Sequence, residues 1–315
     1  MRILMFGRGV IATIYGQALD AAGHEVEFYV RPGRAAEYGD TVEMDVIDAR
    51  SRPLGRRRRH TYRTYLRESL DERDSFDLIV LSVGHHHLAD AAEFLASRLG
   101  SATVLVLGNV WGELTAAVAP LPADRVVFGF PQAGGGFDGD GVLRGALMSS
   151  IVVGATGDVS TRRQQQIVAA FRDARLSLRR QSDIQGWLRL HFLADAGMFD
   201  QALRTGSLAA MIGDRRAFRD AFLTTRELLP LLAARGVDPR RHRIATLPFR
   251  FPGPTATLVA WATRAMPIAQ RSLAAHTDPR TTEALAVLDD AMREARTLGL
   301  STPRLDRPRE RAPLT

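Results

Sequence analysis

Apolar and polar positions divide the chain into two textures. Up to about residue 180, short apolar runs at 3–6, 25–30, 77–83, 102–107, 125–130 and 150–153 alternate with amphipathic stretches. Runs of that length, apolar on both faces, suit a parallel sheet covered by helices. The periodicity between them predicts helices after residue 9, over 87–99 and over 161–174, with a last short strand at 176–179. Residues 41–46 and 60–66 alternate as two short strands, read as a hairpin at the sheet edge. From residue 183 the spacing is helical, with arginine- and acid-decorated faces. Helices are predicted over 184–198, with Asp183 as N-cap, and over 217–234, 255–274 and 281–298, while three prolines in 247–254 interrupt the pattern. Residues 303–315, rich in proline and charge, read as a loose tail. The expected organisation is an α/β domain over 1–181, an all-α domain over 182–302 and a flexible tail over 303–315.

Between the first strand and the first helix stands Gly7-Arg8-Gly9-Val10-Ile11-Ala12, which matches the G-x-G-x-x-G/A pattern of dinucleotide-binding folds in its required strand–turn–helix context. Gly7 permits the turn, Gly9 lets the backbone approach a pyrophosphate, and Ala12 lets the helix pack close. The helix would aim its first N–H groups and positive dipole end at the phosphates. All six residues are expected at the cofactor. The second strand runs into Arg31-Pro32-Gly33-Arg34, where an NAD site carries an acidic residue for the ribose 2′-hydroxyl. Arg31 and Arg34 instead offer planar, permanently charged donors suited to the 2′-phosphate of NADP(H), chance arginines being the plain alternative.

Further residues fall on the same sheet edge. Val83 and Gly84 close the 77–83 strand and are expected to line the cofactor. His85, His86 and His87 follow; neighbours on a chain do not converge on one metal ion, so they read as a loop opening a helix, one of them able to face the cofactor. Asn109 stands after the 102–107 strand, either as a turn former or as a ligand contact. Residues 131–136 read as a flexible segment, with Ala133 at the cofactor. Asp138-Gly139-Asp140-Gly141 lacks the closing glutamate of a calcium loop and reads as a turn, and no metal site is expected.

A length of 315 residues is comfortable for two domains, and a 45% hydrophobic content supplies ordinary cores. No apolar run is long enough to span a bilayer, and the opening strand leads us to expect no signal or transit peptide. With no cysteine there is no disulfide and no thiolate chemistry, and a cytoplasmic protein is the expectation. The net charge of +7 raises nucleic acid as a partner. Every one of the 42 basic residues is arginine, however, and they are spread along the chain. The densest cluster, Arg56 to Arg59, reads as a solvated loop, and no nucleic-acid motif accompanies it, so none is expected to bind. Without lysine or cysteine, proton donors are sought among histidines. His191, with Asp195 one turn later to orient and charge it, is one candidate, a plain surface ion pair being the other reading.

The opening Arg2-Ile3-Leu4-x-x-Gly7-x-Gly9-x-Ile11 with Tyr15-Gly16, then Gly23-His24-Glu25-Val26, an arginine closing the second strand, Gly108-Asn109, and Arg280-Thr281-Thr282-Glu283 fall in an order that resembles the ketopantoate reductase family. The likeness covers most of residues 1–302. It implies a Rossmann-type domain followed by a helical domain like the C-terminal part of 6-phosphogluconate dehydrogenase, reduction of a small-molecule 2-oxo acid by NADPH, and a possible homodimer. It further implies that Asn109 and Glu283 hold cofactor and substrate. The place of the family's general-acid lysine falls on Arg189, within Trp187-Leu188-Arg189-Leu190, and a second lysine's place on Gly84. Two asparagines of the family fall on Leu193 and Gly197. An arginine polarises a carbonyl or clamps a carboxylate but is a poor proton donor near neutrality. A face apolar at Leu193 and Gly197 leads to the expectation of a less polar substrate. The expected function is thus an NADPH-dependent reductase of a 2-oxo acid or a related carbonyl or imine, with an NADP-binding sensor or regulator lacking turnover as the alternative.

Overall fold

The first apolar run forms β1 (Arg2–Phe6), and the N-terminal unit, Met1–Ile184, is laid against it. This computed structural model describes residues 1–156, 159–274 and 282–307. After β1 come α1 (Val10–Asp20), β2 (Glu25–Tyr29), α2 (Arg34–Tyr38), β3 (Thr41–Asp48), β4 (Arg56–Arg63), β5 (Tyr65–Arg67) and β6 (Leu78–Leu81). Then follow α3 (Leu88–Ala96), β7 (Thr103–Leu107), α4 (Leu114–Ala117), β8 (Val126–Phe130), β9 (Ala133–Phe137), β10 (Leu143–Leu147), β11 (Ser150–Gly154), α5 (Thr161–Asp173) and β12 (Ser177–Arg180).

Eight strands make one sheet in the order β12-β11-β8-β7-β6-β1-β2-β5, parallel throughout except where β11 meets β8. Its central strands are buried on both faces, which is why Ile3, Leu78, Val104 and their neighbours read as unbroken apolar runs. Chain order reverses at β1, with β2 on one side and β6 on the other. Such a switch point opens a crevice at the carboxyl ends of the strands, where open α/β sheets bind ligands.

The arginine stretch departs from expectation. Arg56 to Arg59 are not a solvated loop but the first half of β4, and β3 and β4 are not on the edge of the main sheet. They belong to a second sheet, β4-β3-β10-β9, in which β9 contains most of the 131–136 segment read as flexible. Opposite charges across strands are the reason. Both carboxylate oxygens of the buried Asp45 of β3 accept from the Arg57 guanidinium at 2.6 Å, and Asp45 also meets Arg59 and, from β10, Arg144. Burial works against the Asp48 carboxylate, but the Arg50 fork and Arg58 outweigh it and hold its pKa below the usual range. The 138–141 segment is the turn expected between β9 and β10, its Asp138 carboxylate accepting the Val142 N–H and the Arg144 guanidinium.

Helix α1 lies between the two sheets. A Cβ on Gly16 would stand 2.5 Å from the Phe28 ring, and one on Gly145 of β10 would stand 2.9 Å from Ile14, so both approaches depend on a missing side chain. Tyr15 on the same helix is fully buried, and its hydroxyl accepts the Gln132 N–H, fixing the segment that leads into β9.

The second unit, Gln185–Thr315, is helical. It carries α6 (Ile184–Thr205), α7 (Arg215–Ala234), α8 (Leu247–Arg250), α9 (Pro252–Ala265), α10 (Pro267–Ala274) and α11 (Thr282–Thr297). The predicted 255–274 helix is two helices, because Pro267 cannot donate a backbone N–H to continue α9. The 247–254 breaker is itself largely helical, its prolines standing in the first turns of α8 and α9. The tail is not loose where it is described: Leu305 is buried, and Arg304 pairs with Asp220 and Glu227 of α7. Residues 308–315, and Arg280 with Thr281, lie outside the described residues. Among the described residues no helix is long and apolar enough to cross a membrane.

Candidate functional site

The glycine loop has the geometry of an anion cradle. Gly7 adopts φ +98°, a left-handed conformation that favours glycine, and its N–H donates to the Tyr29 carbonyl at 2.9 Å, pinning the loop to the end of β2. Gly9 is the N-cap of α1. No side chain caps the helix there, and its first turn holds no acidic residue. A Cβ on Gly7 or Gly9 would meet no atom within 4 Å. The first N–H groups of α1 therefore face open space with the positive end of the helix dipole behind them. Val10 and Ile11 are half-buried, and Ala12 is fully buried under the helix, as its small size requires.

At the end of β2 the arginines separate into two kinds. Arg34 is engaged: it pairs with Glu37 at 2.6 Å, donates to the Tyr38 hydroxyl at 3.2 Å and lies 5.0 Å from that ring's centroid. Arg8 of the glycine loop lies 4.9 Å from the same ring and donates to the Thr41 carbonyl; burial, opposed by Tyr38, lowers its pKa. Tyr38 thus joins the loop arginine to the β2-end arginine. Sequence reasoning missed it, although its place one helical turn after Arg34 was a usable signal. Arg31 is exposed and makes no side-chain hydrogen bond or ion pair among the described residues.

The same edge continues past β6. Gly84 carries the His86 ring folded over it, so that a Cβ at 84 would stand 2.8 Å from the imidazole. His85–His87 form a 3-10 turn leading into α3, with the rings of His86 and His87 4.1 Å apart. Gly108 sits against the Val83 carbonyl, at 3.6 Å from a built Cβ, so Val83-Gly84 and Gly108-Asn109 are adjacent turns. Ala133 opens β9 immediately after the Tyr15-anchored Gln132. The N-terminal unit therefore gathers the glycine loop, Arg31 and Arg34, the histidine turn and Asn109 on the carboxyl edge of one sheet. Among the described residues no group of three or more histidine or acidic side chains is arranged to hold a metal ion. A cavity of about 520 Å³ lies elsewhere, beneath α5 and beside Val127, Val153 and Leu178, and none of the candidate residues lines it.

The remaining candidates stand in the helical unit and correct two expectations. Arg189 is 3% exposed, and its guanidinium donates to the carbonyl of Arg235, the C-cap of α7, so it is tied to the end of a helix. His191 is not the exposed, charged residue of the surface reading. It is half-buried, its ring stacks on Trp187 with centroids 3.4 Å apart, and Nδ1 donates to the Trp187 carbonyl at 2.9 Å. Burial, helped by His242, lowers its pKa to about 4, so the imidazole is neutral at pH 7. Two residues apart, Arg189 and His191 point from different faces of α6. Glu283 is exposed in the first turn of α11.

The His191 shift makes a stability prediction with a definite sign. The unfolded imidazole binds its proton near pH 6.5 and the folded one only near pH 4, so the stabilisation present at neutral pH is lost as pH falls through that window. Of the order of 3 kcal/mol is at stake. Thermal unfolding from pH 7 to 4.5 should show the wild type losing ground against His191→Phe, which keeps the stack on Trp187 but cannot titrate.

Leu193 and Gly197 also differ from expectation. Leu193 is fully buried and its carbonyl accepts the Thr225 hydroxyl of α7 at 3.3 Å. A Cβ on Gly197 would stand 2.2 Å from the Thr225 Oγ1 and 2.6 Å from the Ala221 carbonyl. These positions close α6 onto α7. They are apolar because two helices touch there, and they say nothing of substrate polarity.

Residues 3–158 match the family model for ketopantoate reductase PanE/ApbA. No curated protein matches the chain significantly in sequence. Solved structures share the fold at low identity. A D-mandelate dehydrogenase in ternary complex with NADH and anilino(oxo)acetate is 16% identical, with a TM-score of 0.67 over 97% of this chain and 95% of that one. A 2-dehydropantoate 2-reductase from Geobacter metallireducens is 17% identical, with a TM-score of 0.64 over 97% of each chain. A dimeric ketopantoate reductase from Staphylococcus aureus is 14% identical, with a TM-score of 0.60 over 97% of this chain and 95% of that one.

Proposed function

Because the chain belongs to the ketopantoate reductase family through residues 3–158, we propose that it is an NADPH-dependent reductase of a 2-oxo acid or a related carbonyl or imine. The observation that carries this reading is the uncapped N-terminus of α1 behind Gly7 and Gly9, with open space where a pyrophosphate would lie. Gly7, Gly9 and the first N–H groups of α1 would hold the diphosphate. Arg31, free of side-chain partners among the described residues, with Arg8 and Arg34 around Tyr38, would take the 2′-phosphate. Val83, Gly84, Asn109 and Ala133 would border the nicotinamide half along the sheet edge. A bound nicotinamide supplies the hydride; this chain's residues have to orient the carbonyl and handle one proton.

An arginine is a poor proton donor and His191 is held neutral, so neither Arg189 nor His191 is a ready donor at pH 7. The imidazoles of His85–His87, on the same edge as Asn109, are the groups of suitable chemistry in the N-terminal unit. Glu283 is retained in this reading as a substrate contact. That same shortage of donors around Arg189 favours the second reading, an NADP-binding sensor or regulator without turnover. A homodimer of the cytoplasmic protein is part of the first reading, and the exposed Leu247 of α8, Phe251 between the helices, and Leu258 and Trp261 of α9 suit burial by a second copy.

NADPH oxidation, followed by absorbance, with ketopantoate and a panel of other 2-oxo acids, ketones and imines tests the proposal. Turnover of any of these carbonyls supports the reductase. Tight NADPH binding with no turnover across the panel selects the sensor, and no binding of NADPH would falsify both.

A further inference from the structure

An acidic side chain does stand at the end of β2, but it comes from another strand. β5 is the parallel neighbour of β2, with Tyr29 opposite Arg67, and the Val30 N–H donates to the Arg67 carbonyl at 2.9 Å. The next residue, Glu68, is therefore beside Val30 and Arg31, where the chain leaves β2. Its carboxylate accepts the Ala35 N–H at 2.7 Å. That bond, and a second from the Gly33 N–H, hold its pKa below the usual carboxylate range.

The consequence is electrostatic and geometric. Glu68 occupies backbone donors of the turn after β2 that would otherwise be open to an anion. It also brings a fixed negative charge to the place where dinucleotide sites read the adenosine ribose. Arg34 offsets part of that charge but is already shared with Glu37 and Tyr38, whereas Arg31 is unshared among the described residues. A 2′-hydroxyl can donate to a carboxylate held in this way, while a doubly charged 2′-phosphate is repelled by it.

We propose that Glu68 is a specificity-determining residue at the adenosine ribose, opposing Arg31 so that the site accepts NADH alongside NADPH. This rests on the dinucleotide reading of the glycine loop. It adds that the balance between the two cofactors is set by a residue outside β2 and its loop.

Fluorescence titration of the full chain with NADPH and with NADH tests it, using wild type, Glu68→Gln and Glu68→Asp. The wild type is expected to bind both. Glu68→Gln should move the affinity ratio about tenfold toward NADPH, with most of the change in NADPH. Glu68→Asp, still charged but shorter, should keep the ratio near that of the wild type even where it loosens the turn. Equal changes for the two cofactors in Glu68→Gln would overturn the proposal and leave Glu68 as an anchor for the turn. Wild-type binding of NADPH with no measurable NADH binding would likewise overturn it while leaving the dinucleotide reading intact. Binding of neither by the wild type would remove the dinucleotide reading itself.

Discussion

Gly197→Asn will destabilise the helical unit by about 2–3 kcal/mol without building a polar pocket. The resemblance to the ketopantoate reductase family implies an asparagine at this position, so the substitution looks like a restoration. The contacts argue otherwise. A Cβ there would lie 2.2 Å from Thr225 Oγ1 and 2.6 Å from the Ala221 carbonyl. One of those atoms is backbone and cannot swing away. Relief has to come from parting α6 and α7, which also strains the Thr225 hydroxyl bonds to the Leu193 and Ala221 carbonyls. Leu193→Asn should cost at least as much, since it replaces a fully buried leucine by an amide in an apolar contact. Urea denaturation gives the comparison directly. An unchanged midpoint for Gly197→Asn, together with new turnover of a polar 2-oxo acid, would show that the face lines a substrate site after all.

The second large effect lies at the other end of the chain. Gly9→Val is expected to leave stability within about 1 kcal/mol of wild type, because Gly9 has a φ of −74° that valine tolerates and no atom lies within 4 Å of the new Cβ. The same empty space is what a pyrophosphate needs. Branched methyl groups there would hold phosphate away from the α1 N–H groups, and NADPH affinity should fall at least about 100-fold, roughly 3 kcal/mol. The pairing of an intact melting temperature with lost binding is the diagnostic. Retained affinity in Gly9→Val would mean that the loop is a structural strand–helix turn and that the cofactor reading fails with it.

Much of the N-terminal unit was legible because its signals are local. Apolar runs such as 3–6 and 102–107 are bounded by turn residues, and Gly7-x-Gly9-x-x-Ala12 states its own backbone demands within six positions. Tyr38, which joins Arg8 and Arg34, lay within reach of the same reasoning, one turn beyond Arg34.

What escaped the sequence depends on partners far along the chain. Arg56–Arg59 look solvated until Asp45 and Asp48 of β3, and Arg144 of β10, supply the cross-strand charges that make a strand of them. Glu68 looks like an ordinary surface acid until the β2–β5 pairing carries it to Arg31. His191 looks like half of an ion pair until burial on Trp187 removes its charge. By itself the sequence determined the α/β-then-helical order, the glycine loop and the candidate arginines, because period, turn chemistry and capping act over a few residues. Only the tertiary structure decided which charges are neutralised, which glycines are contacts between elements and which acid stands at the end of β2, because burial and long-range strand pairing are properties of the packed chain and not of any one segment.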